Sequence, residues 1–144
     1  MATTFVVGTD GSECARRAAE FAAEQAKEVG AELVLVAVVE WSRYSFLTLE
    51  ELENRGKDKR AEIEGAQTQV LDPLKTHLEL GNTLLKTMVR HGHAADVLGD
   101  IAEEEGASQI FIGRHGRSRL ETAVFGSVTN RLLRVASVPV TVVP

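Results

Sequence analysis

Apolar positions along this chain fall into short unbroken runs separated by longer stretches in which they recur every three or four residues. Phe5-Val6-Val7-Gly8 is a run of the first kind and predicts a short buried strand. Asp10-Gly11-Ser12-Glu13 follows with cap chemistry, because Asp10 or Ser12 can accept from the free N–H groups of a helix start. Over residues 13–29, Ala15, Ala18, Ala19, Ala22, Ala26 and Val29 recur at helical spacing, and Gly30 ends the helix. So many alanines let that helix lie close to a sheet. Leu33 to Val39 is continuous rather than alternating, which predicts a strand buried on both faces, as in a parallel sheet covered by helices. Residues 48–80 are charged with a helical apolar thread, and Pro73 is expected to kink it or to start a second segment. Leu84 to Val89 alternates in part and predicts a third strand, nearer an edge. Ala94, Val97, Leu98, Ile101 and Ala102 mark another helix, closed by Gly106. Ile110-Phe111-Ile112 predicts a short fourth strand running into Gly113, residues 127–136 a helix, and Val138 to Val143 a fifth strand with Pro139 near its start.

Strand and helix alternate throughout, which implies an α/β fold with a parallel, doubly wound sheet and right-handed crossovers. Residues 1–144 read as one domain, with no repeat, low-complexity tract or linker. In such sheets ligands sit outside the carboxyl ends of the strands, at the point where strand order reverses. Those ends are Gly8–Asp10, Val38–Trp41, Arg90–His93 and Gly113–Gly116.

Composition narrows the function. With 144 residues, one cysteine and net charge −5, the chain is neither a disulfide scaffold, a disordered segment nor a bulk nucleic-acid binder. No targeting segment is visible at the N-terminus, the longest apolar run is far short of a membrane span, and a cytoplasmic location is expected. Cys14 is expected to pack as a small hydrophobe. The charge is uneven. Residues 1–105 carry 20 acids against 11 bases, whereas residues 106–144 carry one acid, Glu121, against the five arginines Arg114, Arg117, Arg119, Arg131 and Arg134. The basic quarter is also glycine-rich, so an anionic ligand is sought there.

That quarter reads Gly113-Arg114-His115-Gly116-Arg117-Ser118-Arg119, then Gly126-Ser127-Val128-Thr129 at a helix start. Glycines let backbone turn tightly and approach a ligand, and the free N–H groups and dipole of a helix start favour phosphate. Ser127 and Thr129 add hydroxyl donors, and Arg114, Arg117 and Arg119 are placed to neutralise phosphate. Arg131 and Arg134 read instead as favourable charges near a helix C-terminus.

The pattern Gly-x2-Gly-x9-Gly-Ser at Gly113, Gly116, Gly126 and Ser127 resembles the ATP-binding motif of the universal stress proteins. Val7 to Ser12 resembles that family's first strand and Asp-x-Ser turn, and Val138 to Val143 its closing strand. The resemblance spans the chain and implies an adenine nucleotide alpha hydrolase-like sheet of order 3-2-1-4-5 with helices on both faces. It implies Gly8, Thr9 and Asp10 beside the adenosine, with Asp10 on ribose hydroxyls, and Val38 against adenine. Gly113, Arg114, His115, Gly116, Arg117, Ser118 and Arg119 would wrap ribose and phosphates, and Gly126, Ser127, Val128 and Thr129 would hold phosphate. ATP, or ADP or AMP, is the implied ligand, with Mg²⁺ bridging phosphate oxygens. A homodimer through Val138–Val143, an edge strand open to pairing, is implied too. Gly8 and His93 depart from the family pattern, which commonly has proline at each place.

The implied function is a regulatory, stress-response module switched by adenine nucleotide, acting with a further protein partner. The alternative is a weak ATPase or autophosphorylating enzyme, although no catalytic residue is assigned. The chain lacks Gly-x4-Gly-Lys-Ser/Thr and Gly-x-Gly-x-x-Gly, so it is neither a P-loop nor a dinucleotide-binding protein. Thr9-Asp10-Gly11-Ser12 lacks the pyrophosphate loop of related ligases, and the acidic pair and late lysine of a receiver domain are missing. His91 and His93 are spaced to share a strand face, but a pair without carboxylate or Cys at ligand spacing is not a metal site. Trp41, Tyr44 and Phe46 follow strand two and form either a lid over adenine or a local hydrophobic anchor.

Overall fold

A computed structural model describes residues 3–40, 49–116 and 125–144. Five strands, β1 (Thr4–Thr9), β2 (Glu32–Glu40), β3 (Leu85–Gly92), β4 (Gln109–Gly113) and β5 (Val140–Val143), form one parallel sheet ordered β3-β2-β1-β4-β5. The helices are α1 (Glu13–Val29), α2 (Leu49–Ala66), α3 (Asp72–His77), α4 (Ala94–Glu104) and α5 (Ser127–Val135). The expected order and the helices on both faces are what forms.

Period-two alternation along the strands divides the core. Phe5, Val7, Leu33, Leu35 and Phe111 face the alanine stripe of α1 together with Leu71 and Leu74. Val6, Val34, Val36, Ile110 and Ile112 face Leu98 and Ile101 of α4 and Leu132 of α5. This is why β1 and the first part of β2 read as unbroken apolar runs: both faces are covered. Ala18, Ala19, Ala22 and Ala26 are completely buried, which brings α1 close to the sheet, whereas Val29 lies off the stripe and is exposed. Gly30 closes the helix in the left-handed conformation (φ 73°).

Some boundaries depart from the sequence expectation. β3 is an edge strand and runs three residues further, to Gly92, paired with β2 as far as Glu40. The last strand begins at Val140 rather than Val138; Pro139 precedes it and has no N–H, though its carbonyl accepts from Ile110 N at 2.9 Å. Pro73 does start a new segment, the first turn of α3. A π-helical stretch, Gln67–Leu71, separates α3 from α2. Proline leaves the carbonyl four residues upstream without a helical donor, and the ladder widens in that turn. Arg131 bridges α5 to α4 through Asp96 at 3.0 Å, instead of acting at a helix end.

Candidate functional site

Strand order reverses between β1 and β4, because β1 is followed outward by β2 and β3 and the chain then returns to β4 on the other side. A cleft of about 280 Å³ opens there at the strands' carboxyl ends. It brings together Gly8, Thr9, Asp10, Val38, Gly113, His115, Gly116, Gly126, Ser127, Val128 and Thr129, all expected from the sequence. Arg114 is not in the lining. Its N–H donates to the Val143 carbonyl at 2.8 Å and its carbonyl accepts from Gly126 N at 2.8 Å, so its backbone closes the loop onto β5 and α5. Arg117, Ser118 and Arg119, and the aromatic trio Trp41, Tyr44 and Phe46, lie outside the described residues.

Three helices begin at this cleft. At α1, Ser12 Oγ accepts from Ala15 N at 3.2 Å, and Asp10 Oδ1 accepts from Ser12 N at 2.9 Å. At α4, the donor Ala94 N reaches Glu40 Oε1 at 3.2 Å, a cap supplied from the end of β2. At α5, the cap residue is Gly126, extended (φ −65°, ψ 162°), with no side-chain acceptor. The dipole and leading N–H groups of α5 therefore face the cleft with no carboxylate or hydroxyl cap among the described residues. Among the described lining residues, Asp10 and Glu40 are the charged side chains, and neither is basic.

Thr129 lines the cleft with its hydroxyl already engaged. Its buried hydroxyl donates to the Gly113 carbonyl at 2.8 Å, tying α5 to the end of β4. His91 and His93 also separate: His91, in β3, meets Glu62 of α2 at 3.0 Å, while His93 precedes α4, with Nδ1 3.7 Å from Glu40 Oε2.

Ser12, Ala15, Val36, Glu40, Ala94, Leu98 and Ile112 complete the lining and were not assigned to the site from the sequence. Val36 and Glu40 share Val38's strand face by simple alternation, so that signal was available. Ala94 and Leu98 enter only because α4 crosses the ends of β1 and β2, which requires the packing.

Comparison with known proteins agrees with this arrangement. The sequence pattern of the Universal stress protein family matches residues 1–144. The chain belongs to that family. It is 32% identical over 138 residues to universal stress protein MJ0531 of Methanocaldococcus jannaschii, covering 96% of this chain and 79% of that one. It is also similar to the solved structure of MJ0577 from the same organism, at TM-score 0.81 and 29% identity, covering 99% of this chain and 96% of that one. A universal stress protein solved in complex with cAMP matches at TM-score 0.68 and 26% identity, covering 99% and 97%.

In this universal stress protein the cleft glycines do different things. A Cβ on Gly113 would lie 2.8 Å from the carbonyl carbon and Cβ of Cys14, so this glycine lets β4 meet the first turn of α1. A Cβ on Gly116 would lie 2.6 Å from Asp10 Oδ2, so this one makes room for a cleft carboxylate. A Cβ on Gly126 would meet Gly116 N and His115 Cα at 3.4 Å, so here two backbone segments are stacked at the mouth. Among the described residues, no helix is long and apolar enough to cross a membrane and no group of three potential metal ligands occurs.

Proposed function

We propose that this universal stress protein is an ATP-binding regulatory module in which adenine nucleotide occupancy shifts conformation or partner choice. The observation that carries the reading is the N-terminus of α5, which has no side-chain cap among the described residues, facing a cleft at the sheet's reversal point, where the two neighbouring helix starts carry such caps. Such a helix start is the natural seat of a phosphate. Asp10 then stands over the end of β1 to accept from ribose hydroxyls, and Val36 and Val38 offer apolar surface to a base. The relative solved in complex with cAMP supports an adenine nucleotide as the ligand class. Mg²⁺ would accompany the phosphates through their own oxygens. The outer edge of β5 supports pairing with a second copy into a homodimer, checked by light scattering of the full chain against a chain ending before Val140.

The test is mass spectrometry of nucleotide released from gently purified protein, followed by calorimetric titration with ATP, ADP and AMP. The parent should bind. Gly126→Val, whose branched side chain meets the backbone of His115 and Gly116, should lose at least about tenfold in affinity, the equivalent of 1.4 kcal/mol, while staying folded. A parent protein that binds no adenine nucleotide refutes the proposal.

A further inference from the structure

We propose that nucleotide occupancy and the pairing of two copies along β5 are coupled through Arg114, whose backbone ties the phosphate end of the cleft to the edge of the sheet. The inference rests on the nucleotide reading above and names what regulates that site: a second copy of this chain.

One residue joins the two places. Gly126, the cap of α5, donates its N–H to the Arg114 carbonyl at 2.8 Å. The Arg114 N–H donates in turn to the carbonyl of Val143, the last residue of β5, also at 2.8 Å. A second brace runs beside the first. The buried Thr129 hydroxyl, in the first turn of α5, donates to the Gly113 carbonyl at 2.8 Å, and Gly113 is paired in register with Val143. The start of α5 and the end of β5 are therefore fixed together.

Two states follow from this arrangement, one with the bridge closed and one in which Gly126 or Val143 has let go of Arg114. A phosphate on the leading N–H groups of α5 favours the closed state, because it orders that first turn. A strand laid along β5 favours it too, because it orders the other end. Each event then strengthens the other by linkage.

The edge fits a second copy. In a parallel pair the N–H and C=O of one residue point to the same neighbouring strand. The Pro139 and Val143 carbonyls accept from Ile110 N and Arg114 N on the β4 side. By alternation Val140 and Val142 turn their N–H and C=O groups outward, where no strand covers them among the described residues. β5 bears no charged side chain, whereas the opposite edge, β3, carries Lys86 and Arg90, residues of the kind that discourage strand pairing. A two-fold axis would lay Val140–Val143 against itself with no like charges opposed.

The test measures the coupling from both sides. Sedimentation velocity of the full chain over a dilution series, with and without saturating ATP, gives the dimer Kd. Calorimetry gives the ATP affinity of the dimeric parent and of Val142→Pro. Proline at 142 removes an outward N–H and no bond to β4, so this variant should be a folded monomer, with its melt as the check. If it unfolds, Thr141→Lys takes its place by giving this edge a charge. The monomeric variant should bind ATP about fivefold more weakly than the parent, although residue 142 does not line the cleft. Saturating ATP should tighten the parent dimer by about 25-fold, the square of that factor, because each dimer carries two sites. In the monomeric variant ATP should also slow hydrogen exchange at the Arg114 amide. Equal ATP affinity in dimer and monomer, or a dimer Kd indifferent to ATP, overturns the inference. So does a parent that stays monomeric with ATP, a Val142→Pro or Thr141→Lys chain that still dimerises, or an Arg114 amide that ATP does not protect; in each case nucleotide binding itself stands. A parent that binds no ATP overturns the inference together with the nucleotide reading.

Discussion

Gly113 and Gly116 stand three residues apart in one motif, yet a methyl group should have opposite consequences at the two positions. At Gly113 the new Cβ would sit 2.8 Å from two carbons of Cys14 and 2.9 Å from Ala15 N. Carbon contacts are comfortable near 3.5–4.0 Å, so strand or helix must retreat by about 0.7 Å. The helix has little freedom to do so, because Ala15, Ala18, Ala19 and Ala22 are buried against the sheet. Overpacking of this kind costs about 1–3 kcal/mol, offset by about 0.4–1 kcal/mol from the stiffer unfolded chain. At about 3–4 °C per kcal/mol for a chain of this size, the net cost of up to about 2.6 kcal/mol should lower Tm by up to about 10 °C in Gly113→Ala. At Gly116 the Cβ would meet, among the described residues, Asp10 Oδ2, the end of an exposed side chain, and the backbone there is outside the left-handed region. Turning that carboxylate strains its bond from Ser12 N, a cost of about 0.5–1.5 kcal/mol offset by the stiffer unfolded chain, so Gly116→Ala should melt within about 4 °C of the parent. Its affinity for ATP should drop instead, because displacing Asp10 removes a charged hydrogen bond worth about 1.5–3 kcal/mol, roughly ten- to a hundredfold in Kd. Scanning calorimetry and isothermal titration on the same samples measure both quantities. The reasoning fails if Gly116→Ala melts below Gly113→Ala, or if Gly116→Ala binds ATP as the parent does.

Thr129→Val removes the buried hydroxyl that donates to the Gly113 carbonyl. It should cost about 1–3 kcal/mol, read as a lower urea midpoint at unchanged m-value, and an unchanged midpoint would show that the tether is dispensable. The Arg90 guanidinium, bonded to both carboxylate oxygens of Glu104 at 3.0 and 2.6 Å, holds that carboxyl below its usual value of 4.5, chiefly by hydrogen bonding, against a smaller opposing effect of desolvation and with a still smaller contribution from charge. A depressed carboxylate pKa means that the pair's small contribution to stability is present above 4.5 and is lost as pH falls through the lower folded value. Arg90→Ala should therefore move the Glu104 carboxyl upward in a carbon-13 NMR titration, and a titration curve identical to the parent's would contradict the pairing.

Much of the fold was legible because its sheet is covered on both faces. Phe5 to Gly8 and Leu33 to Val39 could be read as buried strands from their continuity, and the alanines of α1 announced a helix lying close above them. Gly30 and Pro73 marked breaks through covalent constraints that act locally. What stayed hidden depends on partners distant in sequence. β3 extends to Gly92 because β2 offers pairing as far as Glu40. Glu40 caps a helix that starts 54 residues later, and Thr129 turns its hydroxyl to a carbonyl 16 residues earlier. Propensity and spacing contain neither contact, since each exists only after α4 and α5 have packed on the same face of the sheet.

The charge asymmetry shows the same limit from another side. Counting side chains places the positive excess in the last quarter of the chain and suggests that arginines draw in the anion. In the structure Arg131 is engaged by Asp96, Arg114 contributes backbone bonds at the loop, and the described lining bears the carboxylates of Asp10 and Glu40. Arg117 and Arg119 lie outside the described residues. Under the proposed function, the first N–H groups of α5 and the dipole behind them add an attraction for phosphate that a count of formal charges does not include. Gly126 matters for that reason: an Asp or Ser at this cap could satisfy one of those donors from its own side chain, and glycine has no acceptor to offer.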